Sequence, residues 1–410
     1  MGYRRGVAII HPFAALRPAP GLAARVCCPP YDVINSREAR ALYGGRAESF
    51  LRVTRPEVGL AEGTDEHADE VYDEGKRALE ALRREGVLVQ ETAGLWLYGQ
   101  ELGGHRQVGL VACVSVDEYD QDLIKKHEKT RPDKEDDRAR HIDVLGAHDE
   151  PVFLTYRAHP GVDALVSALT AAAPLEDFTT DDGVRHTVWA VDPARQRELV
   201  GLFSREVPSL YVADGHHRSA AASRVARARA GQPGEQDRFL AVVFPHDQMQ
   251  ILPYNRLVRD RQGRPPEELL ALLGERLDLS PASRPEPPGP WSFGLLVGGR
   301  WHWGKVRPGS FDKDDLIASL DCSLCQDQIL APLFGVTDPR TDRNLEFVGG
   351  IRGAAELERR AAAEGFALAV YLHPTSIEQL LRVSDAGLLM PPKSTWFEPK
   401  LRSGLFAHLF

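Results

Sequence analysis

The chain has 410 residues, of which 43% are hydrophobic, 8% aromatic and 27% charged, enough apolar material for one large or two to three ordinary domains and too much for a disordered or fibrous chain. Lys and Arg number 50 against 59 Asp and Glu, a formal charge of −9, which argues against a nucleic-acid partner because proteins that grip duplex DNA usually carry a basic domain or stripe. Five cysteines cannot build a small secreted disulfide scaffold, Met1 to Ile10 is too short an apolar run for a signal segment, and no stretch approaches the roughly 20 apolar residues that span a bilayer, so the sequence reads as cytoplasmic with no membrane partner.

Along the chain, Pro12 to Pro30 is rich in Pro and Ala and ends in Cys27-Cys28-Pro29-Pro30-Tyr31-Asp32, where paired prolines forbid helix and fix an extended backbone. Val71, Tyr72, Ala78, Leu79 and Leu82 recur at helical spacing, predicting a surface helix over 66–85 that Gly86 stops. Two β-rich runs, 95–101 and 108–116, flank Gly103-Gly104 and predict an antiparallel hairpin. The segment 125–140 is almost wholly charged, the pattern of a solvated helix or loop. Short strands are expected at 151–156, 209–213 and 239–244, with an alanine-rich helix at 219–230 ended by Gly231. The proline-dense tract 281–290 is the best linker, dividing a 1–280 region from a 291–410 region. Beyond it, 291–297 and 301–306 predict a second hairpin, and Thr375 with Glu378 has the form of a capping box opening a helix at 377–383. Strands and helices alternate without βαβ regularity, which favours a mixed α+β fold over a doubly wound sheet.

The sharpest chemical signal is Asp214-Gly215-His216-His217-Arg218, between a predicted strand and a predicted helix. Glycine allows close backbone approach, and the start of a helix presents unpaired N–H groups and partial positive charge, the requirements of a phosphate cradle. Arg218 adds a fork of donors suited to phosphate oxygens, and two imidazoles can exchange protons near neutral pH. The plainer alternative is a helix capped by Asp214 with packed histidines. A zinc site lacks partners at helical spacing, so no metal-ligand set is assigned. A second signal is Lys126-His127-Glu128-Lys129-Thr130-Arg131-Pro132, in which a carboxylate among cations stays ionised and could accept a proton from a bound hydroxyl. The third, Pro391-Pro392-Lys393-Ser394-Thr395, is a stiff segment that presents an amine and two hydroxyls, or equally a buried turn. Cys322-Ser323-Leu324-Cys325 and Cys27-Cys28 read as core packing: a zinc site would need further ligands, and a redox pair usually sits at a strand-to-helix turn.

On these motifs together with Pro29-Pro30-Tyr31-Asp32-Val33-Ile34, the chain is identified as a member of the domain of unknown function 1015 family. More distantly, the order His-Glu, Asp-Gly-His-His-Arg and Pro-Lys-Ser-Thr resembles free serine kinases of the ParB/sulfiredoxin-like fold. That resemblance implies a ParB/sulfiredoxin-like mixed α/β core with added N- and C-terminal regions. It implies Glu128 as catalytic base beside His127, with Asp214, Gly215, His216, His217 and Arg218 at the nucleotide phosphates. Asp32, Arg131, Lys393, Ser394 and Thr395 would support the site or the substrate. The function implied is transfer of a phosphoryl group from ATP or ADP, with Mg2+, to the hydroxyl of free L-serine, a reaction that depends mostly on positioning and charge stabilisation. The alternative is a nucleotide-binding regulatory or interaction module without catalysis, which would have no need of Glu128 as a base.

Overall fold

Residues 8–410 are described by the computed structural model, so most of the stretch considered for a leader lies outside them. The chain forms two units: one takes the residues up to Lys126, Thr130–Met249 and Pro399–Phe410, and the other takes His127–Lys129 and Gln250–Glu398. No described helix is long and apolar enough to cross a membrane.

In the first unit the expected hairpin is present. Trp96–Leu102 and His105–Ser115 pair antiparallel around Gly103 and Gly104, whose φ of +58° and +84° suit residues without a Cβ. This hairpin sits within a larger sheet that runs, edge to edge, Ile124–Lys125, Leu210–Asp214, Val152–Tyr156, Arg238–Pro245, His105–Ser115, Trp96–Leu102, Arg185–Ala190 and Glu176–Thr179, with Ile10–His11 also on His105–Ser115. Two of these pairings are parallel, Leu210–Asp214 with Ile124–Lys125 and Arg238–Pro245 with Val152–Tyr156; the rest are antiparallel. One core joins Leu97, Leu110, Leu154, Val212 and Ala241 of the sheet to Leu199 and Phe203 of the helix Pro193–Glu206. A smaller sheet in the same unit orders Leu88–Gln90, Ala15–Pro18, Ala407–Leu409 and Ala147–His148, so the end of the chain is built into the unit that begins it.

The helix expected at 66–85 runs Asp69–Arg84 and buries its apolar stripe, and Gly86 follows at φ +71°. The charged run departs from a purely solvated reading. Pro132–Leu145 is a helix with proline in its first turn and Gly146 at its C-cap, and it buries Asp137, Arg138 and His141 alongside Ile142 and Leu145. Its inward face is made of paired charges: Asp137 accepts a hydrogen bond from Tyr72 Oη at 2.8 Å and pairs with Arg138 at 2.8 Å. Hydropathy alone therefore hides the burial.

The second unit holds an antiparallel sheet ordered Leu277–Pro281, Arg300–Val306, Ser292–Val297, Leu368–Leu372, Tyr254–Val258 and Leu345–Gly349. The second predicted hairpin is its Ser292–Val297/Arg300–Val306 pair. The chain divides at 249/250, so the proline tract expected as a linker lies inside this unit. It is strapped to the sheet: Trp303 Nε1 donates to the carbonyls of Arg284 and Glu286, each at 3.1 Å, and the Pro285 carbonyl lies where a side chain at Gly294 would be. The late helix spans Ile377–Asp385, and its capping box is Ser376 with Gln379, one residue beyond the pair predicted. The architecture is mixed α/β with antiparallel pairing predominant, as the irregular alternation of the sequence predicts.

Candidate functional site

The strand Leu210–Asp214 is apolar because Leu210, Tyr211, Val212 and Ala213 are all buried. Its pairing with Val152–Tyr156 slips between Val212 and Asp214, and such a bulge re-aims the side chains that follow it. Gly215 then turns the chain at φ +95°, ψ 29°, and caps the helix His216–Ala228. A side chain at Gly215 would be strained by that φ, and its Cβ would meet Arg218 Nε at 3.0 Å and Cζ at 3.1 Å. Glycine is thus required here twice over.

Asp214 is held from two sides. Its Oδ1 accepts from the Gly215 N–H at 2.8 Å and its Oδ2 from Lys400 Nζ at 2.7 Å. Burial opposes its ionisation, but Lys400 and then Arg218 outweigh that and hold the carboxyl well below the usual range. Burial pushes His216 down to about 4, with Asp214 opposing, so its imidazole is neutral at pH 7. Ser219 Oγ donates to the carbonyls of Gly215 and His216, at 3.3 and 3.1 Å, and closes the first turn.

Arg218 lies beneath the turn rather than on its solvent side. It is 7% exposed, its Nη1 donates to the Pro151 carbonyl, and its Nη2 is 4.0 Å from Asp214 Oδ1. Burial disfavours its charge, but Asp32, Glu150 and Asp214 restore it and raise its pKa. A guanidinium in that position braces the turn and sets its field, and its Nε is left without a hydrogen-bond partner. The proline-fixed segment supplies the adjoining wall. The Tyr31 N–H donates to Glu150 Oε1 at 2.9 Å, Arg138 lies 4.1 Å over the Tyr31 ring, and Asp32 is exposed. Ser403 Oγ donates to the same Glu150 oxygen at 2.6 Å, and its backbone bridges Cys28. Burial pushes Glu150 up to about 7, with Arg218 opposing and Asp149 and Asp32 adding to the rise.

Of the other residues singled out by sequence, Arg131 donates its N–H to His217 Nε2 at 3.1 Å, while its guanidinium faces solvent and pairs with Asp133. The structure thus brings together Asp32, Asp214, Gly215 and Arg218, and ties Arg131 to His217. His127 and Glu128 belong to the second unit with Lys393, Ser394 and Thr395. There the Met390 N–H donates to the His127 carbonyl at 2.7 Å. Lys393, exposed at φ +57°, has its carbonyl bound by Arg256 at 3.1 Å. Ser394 Oγ donates to the Pro391 carbonyl at 2.6 Å, and Thr375 Oγ1 to the Ser394 carbonyl at 2.8 Å, so Ser394 closes its own loop. Cys322 and Cys325 are buried free thiols, with burial pushing Cys325 up to about 12. Sequence reasoning passed over Arg138, Glu150 and Lys400. Only Glu150 left a local trace, in the acidic Asp149-Glu150 pair immediately before Pro151 and its strand.

Among solved structures, the chain is similar to a free serine kinase in complex with AMP, at 13% identity and a TM-score of 0.36, over 70% of this chain and 86% of that one. It is also similar to SbnI with a C-terminal truncation from Staphylococcus aureus, at 13% identity and 0.36 over 72% and 85%. A conserved hypothetical protein from Pyrococcus furiosus gives 11% and 0.35 over 70% and 90%. No curated protein matches the chain. Residues 10–323 match the family model described as protein of unknown function DUF1015, and the chain belongs to that family.

Proposed function

We propose that the protein is a small-molecule kinase of ParB/sulfiredoxin-like fold that transfers a phosphoryl group from ATP or ADP to the hydroxyl of free L-serine. The observation that carries this reading is the turn at Asp214–Arg218: a positive-φ glycine opens a 13-residue helix, with a buried arginine beneath it. The N-terminal N–H groups of a helix and the helix dipole attract anionic oxygens. The missing Cβ of Gly215 lets a polyphosphate approach the backbone, and Lys400 and Arg218 add positive field while Asp214 fixes their geometry. The donor set therefore fits a nucleotide phosphate chain. Asp32, exposed beside Arg218, is the carboxylate suited to Mg2+, a hard cation that takes carboxylate and phosphate oxygens and neutralises charge on the transferred group.

In the reaction, Glu128 takes the proton from the serine hydroxyl as the new O–P bond forms and the terminal phosphoanhydride bond of the donor breaks. The leaving nucleotide departs with the electrons of that bond, and its new charge is stabilised at the turn. His127 adjoins the base. Arg131 donates its backbone N–H to His217 and so helps to hold that imidazole at the turn.

The test is a panel of nucleoside di- and triphosphates with free amino acids, scored by mass spectrometry for phosphorylated product. O-phosphoserine formation is expected from ATP or ADP. Nucleotide binding without transfer to any amino acid would replace the kinase reading with a nucleotide-binding module.

A further inference from the structure

Within the second unit, the strand Tyr254–Val258 carries Arg256 into the interior, where it is 3% exposed. Its Nη1 donates to the Tyr254 carbonyl and its Nη2 to the Lys393 carbonyl at 3.1 Å, and the guanidinium lies 4.8 Å over the Phe347 ring. The acids that reach it are the thiols of Cys325 and Cys322 and the Tyr254 phenol, and among the described residues no carboxylate pairs with it. Burial keeps both thiols protonated, so they supply no countercharge. A buried guanidinium without an anion is a costly arrangement that a ligand's anion would relieve.

A cavity of about 350 Å3 opens beside this group, lined by Arg256, Ser323, Gln326, Asp315 and Asp327 among others. Two polar atoms of these lining residues, Ser323 Oγ and Gln326 Oε1, are buried with no hydrogen-bond partner. The wall containing Gln326 is a π-helical turn, Gln326–Leu330, a form that recurs at functional sites because the widened turn redirects side chains. An unneutralised cation and two residues with unpartnered polar atoms therefore line one cavity. Asp315 and Asp327 are exposed members of the same lining. These carboxylates are not among the groups that act on Arg256, so a ligand that reaches both parts of the lining would carry one negative and one positive end.

We infer that this cavity binds a small zwitterion, its carboxylate on Arg256 and Ser323 and its ammonium toward Asp315 and Asp327. The inference does not rest on the phosphoryl-transfer reading, since neither Glu128 nor any residue of the 214–218 turn lines this cavity.

Calorimetric titration of the full chain with L-alanine, β-alanine and γ-aminobutyrate tests it, with propionate and inorganic phosphate as controls, each up to about 10 mM. At least one zwitterion should bind more tightly than either control. Asp327→Asn, at an exposed position, should weaken the zwitterion by about tenfold and leave propionate unchanged, and Ser323→Ala should weaken both. Because replacing the buried Arg256 disturbs the core, these two variants carry the test, with thermal midpoints verifying their folding. Absence of binding by every zwitterion, phosphate binding as tightly as the zwitterions, or unchanged affinity in both variants would overturn the proposal. Phosphoryl transfer, measured in parallel on the same variants, should stay at the wild-type level, which separates this cavity from the turn.

Discussion

The Gly215→Ala substitution isolates the physical demand of the turn. At φ +95° an L-residue costs roughly 1–2 kcal/mol from backbone strain alone. The new methyl would also sit 3.0–3.2 Å from Nε, Cζ and Nη2 of Arg218, so the guanidinium must move. It cannot do so without loosening its bond to the Pro151 carbonyl, a charge-assisted hydrogen bond worth about 1.5–3 kcal/mol. The total expected loss is about 2.5–5 kcal/mol. Gly231 is the internal control: its φ is +81° and nothing lies within 4 Å of its virtual Cβ, so Gly231→Ala should cost only the backbone part. Urea unfolding of both variants, followed by far-UV circular dichroism and analysed with a common slope, gives the difference directly. Equal losses in the two variants would refute the claim that Arg218 is packed against the turn. A cycle with Arg218→Ala should show the two changes to be non-additive, since truncation at Cβ removes Nε, Cζ and Nη2 and with them the clash.

Glu128→Gln keeps size and hydrogen bonding but cannot take up a proton, so transfer to serine should fall by about 10² or more while nucleotide affinity stays similar; wild-type turnover in this variant excludes Glu128 as the base. Glu118, whose two oxygens accept the Ile9 N–H at 3.2 and 3.1 Å, is pushed up to about 7 by burial. The folded state therefore keeps a proton that the unfolded chain releases above about pH 4.5, and the contribution of Glu118 to stability should fall by roughly 2–3 kcal/mol as pH rises to 7. His148, His186 and His216, pushed down to about 3, 3 and 4 mainly by burial, act in the opposite direction by losing stability as pH falls below about 6.5. The readout is therefore the difference between wild type and Glu118→Gln across pH 4.5–7, and a flat difference refutes it. Cys322 and Cys325, buried and raised in pKa, should resist iodoacetamide in the native protein at pH 8 and react once it is unfolded; rapid native labelling would show that they are not packed as described.

The elements visible in the sequence are those whose signal is local. The hairpin around Gly103-Gly104 and the helix Asp69–Arg84 follow from alternation, a glycine turn and an apolar stripe, all within short windows. The burial of the helix Pro132–Leu145 is hidden in the sequence because its inward face uses Asp137 and Arg138, which are held by Tyr72, His67, Tyr31 and each other. The proline tract misled in the opposite way: proline marks an irregular backbone, but the bonds from Trp303 to the carbonyls of Arg284 and Glu286 decide whether that backbone is a tether or a strap. Composition carries no information about those bonds.

The same contrast governs the site. Asp214, Gly215 and Arg218 could be read together because a strand, a turn and a helix bring them into contact over five residues. Lys400 reaches Asp214 from 186 residues away and Ser403 reaches Glu150 from 253, so no window contains either pair. Residue type is also an incomplete guide to role. Arg218 and Arg256 have the same side chain and nearly the same exposure, 7% and 3%. Arg218 feels three carboxylates and Lys400 is paired with Asp214, so an anion at the turn draws mainly on helix N–H groups, with the two cations adding to the field. Arg256 feels none among the described residues, and its countercharge has to come from outside the chain. The arginine in the recognisable motif is thus held among carboxylates, and the arginine in no motif is the one that would meet a ligand's carboxylate without a competing one.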